Sequence, residues 1–214
     1  MTMKTRQEIK ELAKQAMKEQ QGTCILIALL VAAAGIIGSL LGLTPIIGPM
    51  ISIVVSLCLI VVNVGLCGAF VSVWRRQKID VVAPFETLKV NFARKLGGMY
   101  WMALWTLLWT YLFIIPGIIK GLAYSMTPYI LADCPNVTAT DALKLSMRMT
   151  KGYKGELFVF HLSYIGWWLL SALTFGILTL VYVTPYYSTA MAGYYEELRE
   201  RAVASGALRA EELA

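Results

Sequence analysis

The chain has 214 residues, of which 58% are hydrophobic and 15% charged. Soluble domains run near 45–50% and about 25% on those two measures, which excludes an ordinary water-soluble fold. The formal net charge is +6, and its placement decides what that charge is for.

Residues 6–18 are predicted to form an amphipathic helix. Ile9, Leu12, Ala13, Ala16 and Met17 recur at helical spacing, with Lys on the other face. Thr5-x-x-Glu8 is a capping box at its start. Residues 1–21 are therefore read as an amphipathic cytoplasmic or interfacial helix. Two placements are open: flat on the cytoplasmic membrane surface, or solvated and running straight into the first span. The polar region is too long, and the apolar run after it long enough to span, for a cleaved signal peptide.

Three charge-poor blocks follow. Gln21 to Trp74 has no Asp, Glu, Lys, Arg or His; Leu96 to Ala132 has only Lys120; Leu157 to Tyr195 has only His161. A water-exposed helix needs a polar face, and these blocks offer none. About 20 residues cross the hydrocarbon core, so each block suits two crossings. The helix breakers Thr44-Pro45 with Gly48-Pro49, then Pro116-Gly117, then Phe175-Gly176 divide them. The expected architecture is all-α: a polytopic transmembrane bundle of about six spans in three hairpins. The spans fall near 24–43, 50–74, 98–115, 118–132, 157–174 and 177–195, within a transmembrane domain 22–198 and before a cytoplasmic tail 199–214. Pro116-Gly117 is also compatible with a kink in one long tilted or re-entrant element. Between the second and third blocks, residues 141–150 suit a second short amphipathic helix, capped by Thr138 or Thr140 and docked at the interface.

Lys and Arg set the orientation. Five lie before the first span, six in the loop after the second, four in the loop after the fourth and three in the tail, while Lys120 alone falls on the other side. An 18-to-1 division puts both termini in the cytoplasm. It also assigns the basic charge to topogenesis and to anionic lipid at the cytoplasmic face rather than to nucleic acid.

Internal duplication is suggested by Lys95, Trp109, Gly117-Ile118 and Thr127-Pro128-Tyr129, which recur as Lys154, Trp168, Gly176-Ile177 and Thr184-Pro185-Tyr186. Chance similarity of short aromatic helices is the competing explanation.

Chemistry is sparse. One histidine cannot supply the paired ligands of a metalloprotease helix. The spans hold no pair of carboxylates, and no nucleophile elbow, P-loop or dinucleotide fingerprint occurs. Cys24, Cys58, Cys67 and Cys134 have no metal or redox spacing and read as small apolar residues. The chain is therefore expected to be no enzyme and to use no cofactor or metal. His161, near the cytoplasmic end of the fifth span, is expected to be neutral and bonded to a neighbouring helix. Asn63, His161, Pro128 and Pro185 are the candidates for a kink or a cavity, because a proline break frees carbonyls. The duller outcome is a kink re-satisfied by nearby Ser or Thr. Ala34, Gly38 and Gly42, and again Gly117 and Gly121, form small-residue faces for close helix packing, within the monomer or against a partner.

The stretches IPGIIKGLAYSMTPYILAD (115–133), DALKLSMRMTKGYKGELF (141–158), SYIGWWLL (163–170) and TPYYSTAMAGYYEEL (184–198), with RQEIKELAKQAMK at the start, carry a resemblance over nearly the whole chain. They are similar to an uncharacterised bacterial integral membrane family, domain of unknown function nine-seven-five. The resemblance implies a bacterial inner-membrane protein of several helices and implies no activity. Two functions stand as expectations: a non-enzymatic membrane scaffold or accessory protein, with a membrane-protein partner or a homo-oligomer, or a permease or channel for a neutral or lipid-like substrate.

Overall fold

The structure, a computed structural model, describes residues 4–44, 47–174 and 176–213. Pro45, Ile46 and Phe175, on which two of the expected turns were drawn, lie outside the described residues. The described chain is helical, without strands. Among the described residues, four helical segments are long and apolar enough to cross a membrane: Gln21–Leu41, Gly48–Trp74, Ile114–Asp133 and Lys154–Leu173.

Helix α1 (Arg6–Lys18) begins as its sequence dictates. The Glu8 N–H donates to Thr5 Oγ1, and the Thr5 N–H donates back to the Glu8 carboxylate at 2.6 Å. Its apolar face is not laid on lipid. Ile9, Ala13, Ala16 and Met17 are buried in the protein core, chiefly against the carboxy-terminal helix. The stripe expected to face lipid or water is covered by protein instead. A helix whose apolar stripe already has a protein partner has little left to insert into a bilayer.

Helices α2 (Gln21–Leu41) and α3 (Gly48–Trp74) form the first hairpin. A Cβ on Gly38 would collide with Val55, and one on Gly42 with Ser52. The small-residue face that includes Ala34 thus turns largely toward α3, within the chain. After α3 the short α4 (Ala83–Glu86) folds back on it. A Cβ on Gly65 would meet the Pro84 carbonyl oxygen at 2.5 Å, so backbone rests against backbone there.

Helix α5 (Phe92–Leu112) and α6 (Ile114–Tyr124) are joined through the extended residue Phe113. The break thus falls three residues before the expected Pro116-Gly117. Pro116 sits in the first turn of α6, where N–H groups have no helical partner and a missing one costs nothing. Gly117 packs against Thr110, with a Cβ position 2.6 Å from its Cα, and Gly121 faces Thr106. The second small-residue face is also spent inside its hairpin.

At Ser125-Met126 the path shifts into α7 (Thr127–Asp133), with Pro128 in its first turn. Helix α8 (Ala139–Met149), capped by Thr138 Oγ1 on the Asp141 N–H, closes this break. Ser146 Oγ donates to the Ala123 carbonyl at 2.7 Å and accepts from the Met126 N–H at 3.2 Å, and Thr150 Oγ1 reaches the same carbonyl at 3.3 Å. Replacing Ser146 with Ala strands the buried Met126 N–H and leaves the Ala123 carbonyl only the longer bond from Thr150. The expected loss is about 1–3 kcal/mol, read as a lower unfolding midpoint in detergent, while Ser125→Ala, whose hydroxyl bonds only its own turn, changes little. Helix α8 packs on α5, α6, α7 and the last helix, so protein covers its apolar face.

The last hairpin is α9 (Lys154–Leu162), α10 (Ile165–Leu173), a π-helical turn (Thr179–Val183) and α11 (Thr184–Ala204). The fifth expected span is interrupted at Ser163-Tyr164, where N–H groups bond three residues back. The π turn precedes Thr184-Pro185 and absorbs the proline's missing donor by lengthening the local hydrogen-bond spacing. Both Thr-Pro-Tyr stretches therefore open a helix. Helix α11 continues well past 195 and 199, and the 3-10 turn Ala210–Leu213 returns to the body, with Leu208 and Leu213 buried. Residues 199–213, in the expected cytoplasmic tail, are mostly helical and largely exposed, anchored by Ala202, Leu208 and Leu213.

Packing is unequal along the bundle. The core gathers α1, the second half of α3, α7, α8, α9 and α11 at one end. Beside the turns after α2, between α5 and α6 and after α10, Leu43, Tyr111 and Leu173 are 78%, 82% and 78% exposed, so these turns present bare apolar side chains.

Candidate functional site

The packed end carries the polar chemistry. Asp133, closing α7, is its centre. Arg75, just past α3, clamps it with two N–H donors at 2.7 and 3.0 Å. Arg199 of α11 donates to its Oδ2 at 2.9 Å, as does the Tyr195 hydroxyl. Arg75 also bonds Glu196 at 2.6 Å. One carboxylate thus ties the ends of three helices. Donation to the Asp133 carboxylate holds the Arg75 guanidinium above its ordinary value, and burial pushes the Glu196 carboxyl up despite Arg75. Nearby, Arg94 donates to the carbonyls of Leu131, Cys134 and Val137, which caps the end of α7 with a cation, as the helix dipole favours.

A cleft of about 320 Å³ opens beside this node, between α3, α4 and α7. Arg75, Lys78, Asp80, Lys95 and Asp133 contribute its charge. Lys95 is buried, donates only to the Val90 carbonyl, and burial lowers its ammonium below the ordinary lysine value. Arg75 is already neutralised by two carboxylates, so the cleft presents ion pairs more than free charge.

A second assembly joins α1 to the last hairpin. Lys10 donates to Ser163 Oγ at 2.7 Å and lies 4.6 Å from the Tyr164 ring centre. Phe160, Tyr164, Tyr186, Tyr187 and Tyr194 stack around that point. Burial, then Arg6, lowers the Lys10 ammonium below the ordinary value.

The residues singled out in the sequence do not converge. His161 is half-buried and shares a 2.6 Å hydrogen bond with the Leu157 carbonyl of its own helix, its ring edge against Tyr187. The expected bond to a neighbouring helix is replaced by one turn of α9, which lies within reach of the ring. Asn63 faces outward from the middle of α3. Pro128 and Pro185 lie in closed helix starts. Lys120, set apart in the sequence as the one cation on the far side, reaches back: its ammonium lies 3.8 Å from Met147 Sδ of α8 and over the rings of Trp109 and Tyr124. Nothing in the sequence announced the Asp133 node except a carboxylate and two arginines at three predicted span ends. Among the described residues no group of three or more His, Cys, Asp or Glu is placed to hold a metal ion.

No curated protein and no solved structure matches the chain. One family does, over residues 87–202, from the loop before α5 to the latter part of α11. The matched range begins after α1, α2 and α3, so the likeness read in RQEIKELAKQAMK lies outside it. It contains Asp133, Arg199, α8 and both proline breaks. Since it covers more than half of the chain, this membrane-type helical protein belongs to the family described as protein of unknown function (DUF975).

Proposed function

We propose that the chain is a multi-pass protein of a bacterial cytoplasmic membrane, and that it serves other membrane components as a non-enzymatic scaffold or accessory protein. In this reading it crosses six times as three hairpins with both termini in the cytoplasm. Four helices meet the length and hydropathy for crossing. Helix α5 is joined to α6 by one residue, so it crosses if α6 and α7 do. The same holds for α11, which returns from the tip of α10. The observation that carries the reading is the gathering of α1, α4, α8 and the carboxy-terminal turn at one end, against bare apolar side chains at the turns after α2, between α5 and α6 and after α10. That end is a rigid platform locked by Asp133, and anionic lipid at the cytoplasmic face suits its lysines and arginines.

The alternative, a permease or channel for a neutral or lipid-like substrate, draws on the repeated hairpins and paired prolines. Its motive weakens because Ser146 and Thr150 occupy the carbonyl freed at the first break. The test is cross-linking in intact membranes followed by mild detergent extraction, beside solute flux in proteoliposomes. The accessory reading expects a reproducible membrane-protein partner and flux equal to empty vesicles. Repeated recovery of bare protein, with flux that falls in the Pro128→Ala, Pro185→Ala double variant, would replace it with transport.

A further inference from the structure

Lys120 is the one charged residue of the apolar helical run Ile114–Asp133 before its terminal Asp133. An ammonium in such a segment is costly unless partnered. Among the described residues its contacts are a thioether sulfur and two aromatic faces, and no carboxylate lies within ion-pair distance. Three N–H donors therefore have no oxygen acceptor from the described protein, although cation–π contact with Trp109 and Tyr124 fixes the head group in place.

That head group lies in a groove of about 490 Å³ between α5, α6 and α8. Trp101, Trp105 and Trp109 line it from α5, and Tyr124 of α6 and Lys144 and Met147 of α8 are among the residues that complete it. Lys144 brings a second cation, balanced by Asp141 at 3.1 Å. The groove adjoins the uncovered apolar face of the same hairpin, where Leu104, Leu107, Leu108, Ile118 and Ile119 are all exposed. Its occupant must bring anionic oxygens to Lys120 and long apolar chains to that face, along a row of tryptophans.

The geometry points to a binding site for one anionic glycerophospholipid, its phosphodiester on Lys120 and its acyl chains along α5 and α6. A free phosphate would satisfy the ammonium but leave the apolar face bare. A zwitterionic lipid would set its own cation against Lys120 and Lys144. The site deepens the reading above and rests on one part of it, that α5 and α6 lie in the bilayer. It needs no partner protein.

The test uses the full chain in mixed phosphatidylglycerol and phosphatidylcholine nanodiscs, released into native mass spectrometry to count bound lipid. The wild type is expected to retain phosphatidylglycerol in preference to phosphatidylcholine. Lys120→Gln should lower that retention about ten-fold, the equivalent of one hydrogen bond to a charged group, whereas Lys78→Gln on the far cleft should not. Should Lys120→Gln fail to fold, brominated lipids titrated into the wild type give the same answer. Phosphatidylglycerol should quench the tryptophans saturably and more deeply than phosphatidylcholine. Equal retention of the two lipids, unchanged retention in folded Lys120→Gln, or equal quenching overturns the site. Such a failure leaves the partner and flux results untouched, and failure to find a partner leaves the lipid count untouched.

Discussion

Asp133→Ala is expected to destabilise the protein by about 2–4 kcal/mol. Removing one partner of a buried ion pair costs about 3–5 kcal/mol because the other charge is left uncompensated. Here Arg75 and Arg199 are each 31% exposed, so water recovers part of that loss. Arg75 keeps Glu196, while the Tyr195 hydroxyl and Arg199 lose their bond to Oδ2. The thermal midpoint of helix content in detergent measures the effect. Asp133→Asn, which keeps one oxygen and the side-chain shape, should fall between the two. Arg76→Ala removes a pair more than half exposed at both members and should stay within about 0.5 kcal/mol of wild type. Equal midpoints for Asp133→Ala and Arg76→Ala would mean that the node is not what joins α3, α7 and α11.

The second large effect is expected at Ile9. It is fully buried, in a core shared with Tyr194 and Leu198 of α11. Ile9→Ala should cost about 2–4 kcal/mol through lost burial and the cavity left behind. Ile9→Asp should release α1 altogether, because an unpaired carboxylate cannot be held there. Limited trypsin digestion in detergent reports the release, since Arg6, Lys10 and Lys14 lie along the helix. Cleavage should be slow in the wild type, faster in Ile9→Ala and immediate in Ile9→Asp. A helix resting on lipid instead would be cut at the same rate in all three once the bilayer is gone.

These two sites mark what the sequence could and could not reveal. Helix α1 was legible because its signals are local: the Thr5–Glu8 box and the Ile9–Ala13–Ala16 stripe act within two turns. Thr138 as a cap was legible for the same reason, and the hairpin α2/α3 from its uncharged length. The partner of the α1 stripe was not legible, because it depends on α11 continuing well beyond the apolar block. Periodicity tells which face is apolar and not whether lipid or protein covers it. The break at Phe113 was missed because proline disrupts a helix interior but sits without penalty in a first turn, so Pro116 starts α6 instead of ending α5. The seat of α8 was missed in part. Ser and Thr near a proline break were foreseen in kind, but Ser146 and Thr150 lie 20 or more residues away in the chain. Lys120 was counted by its place in a loop map, whereas a long flexible side chain puts its charge where its stem can reach. The Asp133 node needs three span ends to meet, and no local pattern encodes that meeting.

The central claim is that three hairpins share one orientation, with both termini, α4 and α8 on the cytoplasmic side. The most direct test labels single cysteines with a membrane-impermeant maleimide in intact cells, in a background where Cys24, Cys58, Cys67 and Cys134 are replaced by Ala. Leu43→Cys and Phe113→Cys, at two bare tips, should label from outside. Gln77→Cys and Ser205→Cys, at the packed end, should label only after the membrane is permeabilised. Labelling of Ser205→Cys in intact cells, or protection of Phe113→Cys, would contradict the account, the first by setting the two ends of the chain apart and the second by keeping the α5/α6 hairpin from crossing.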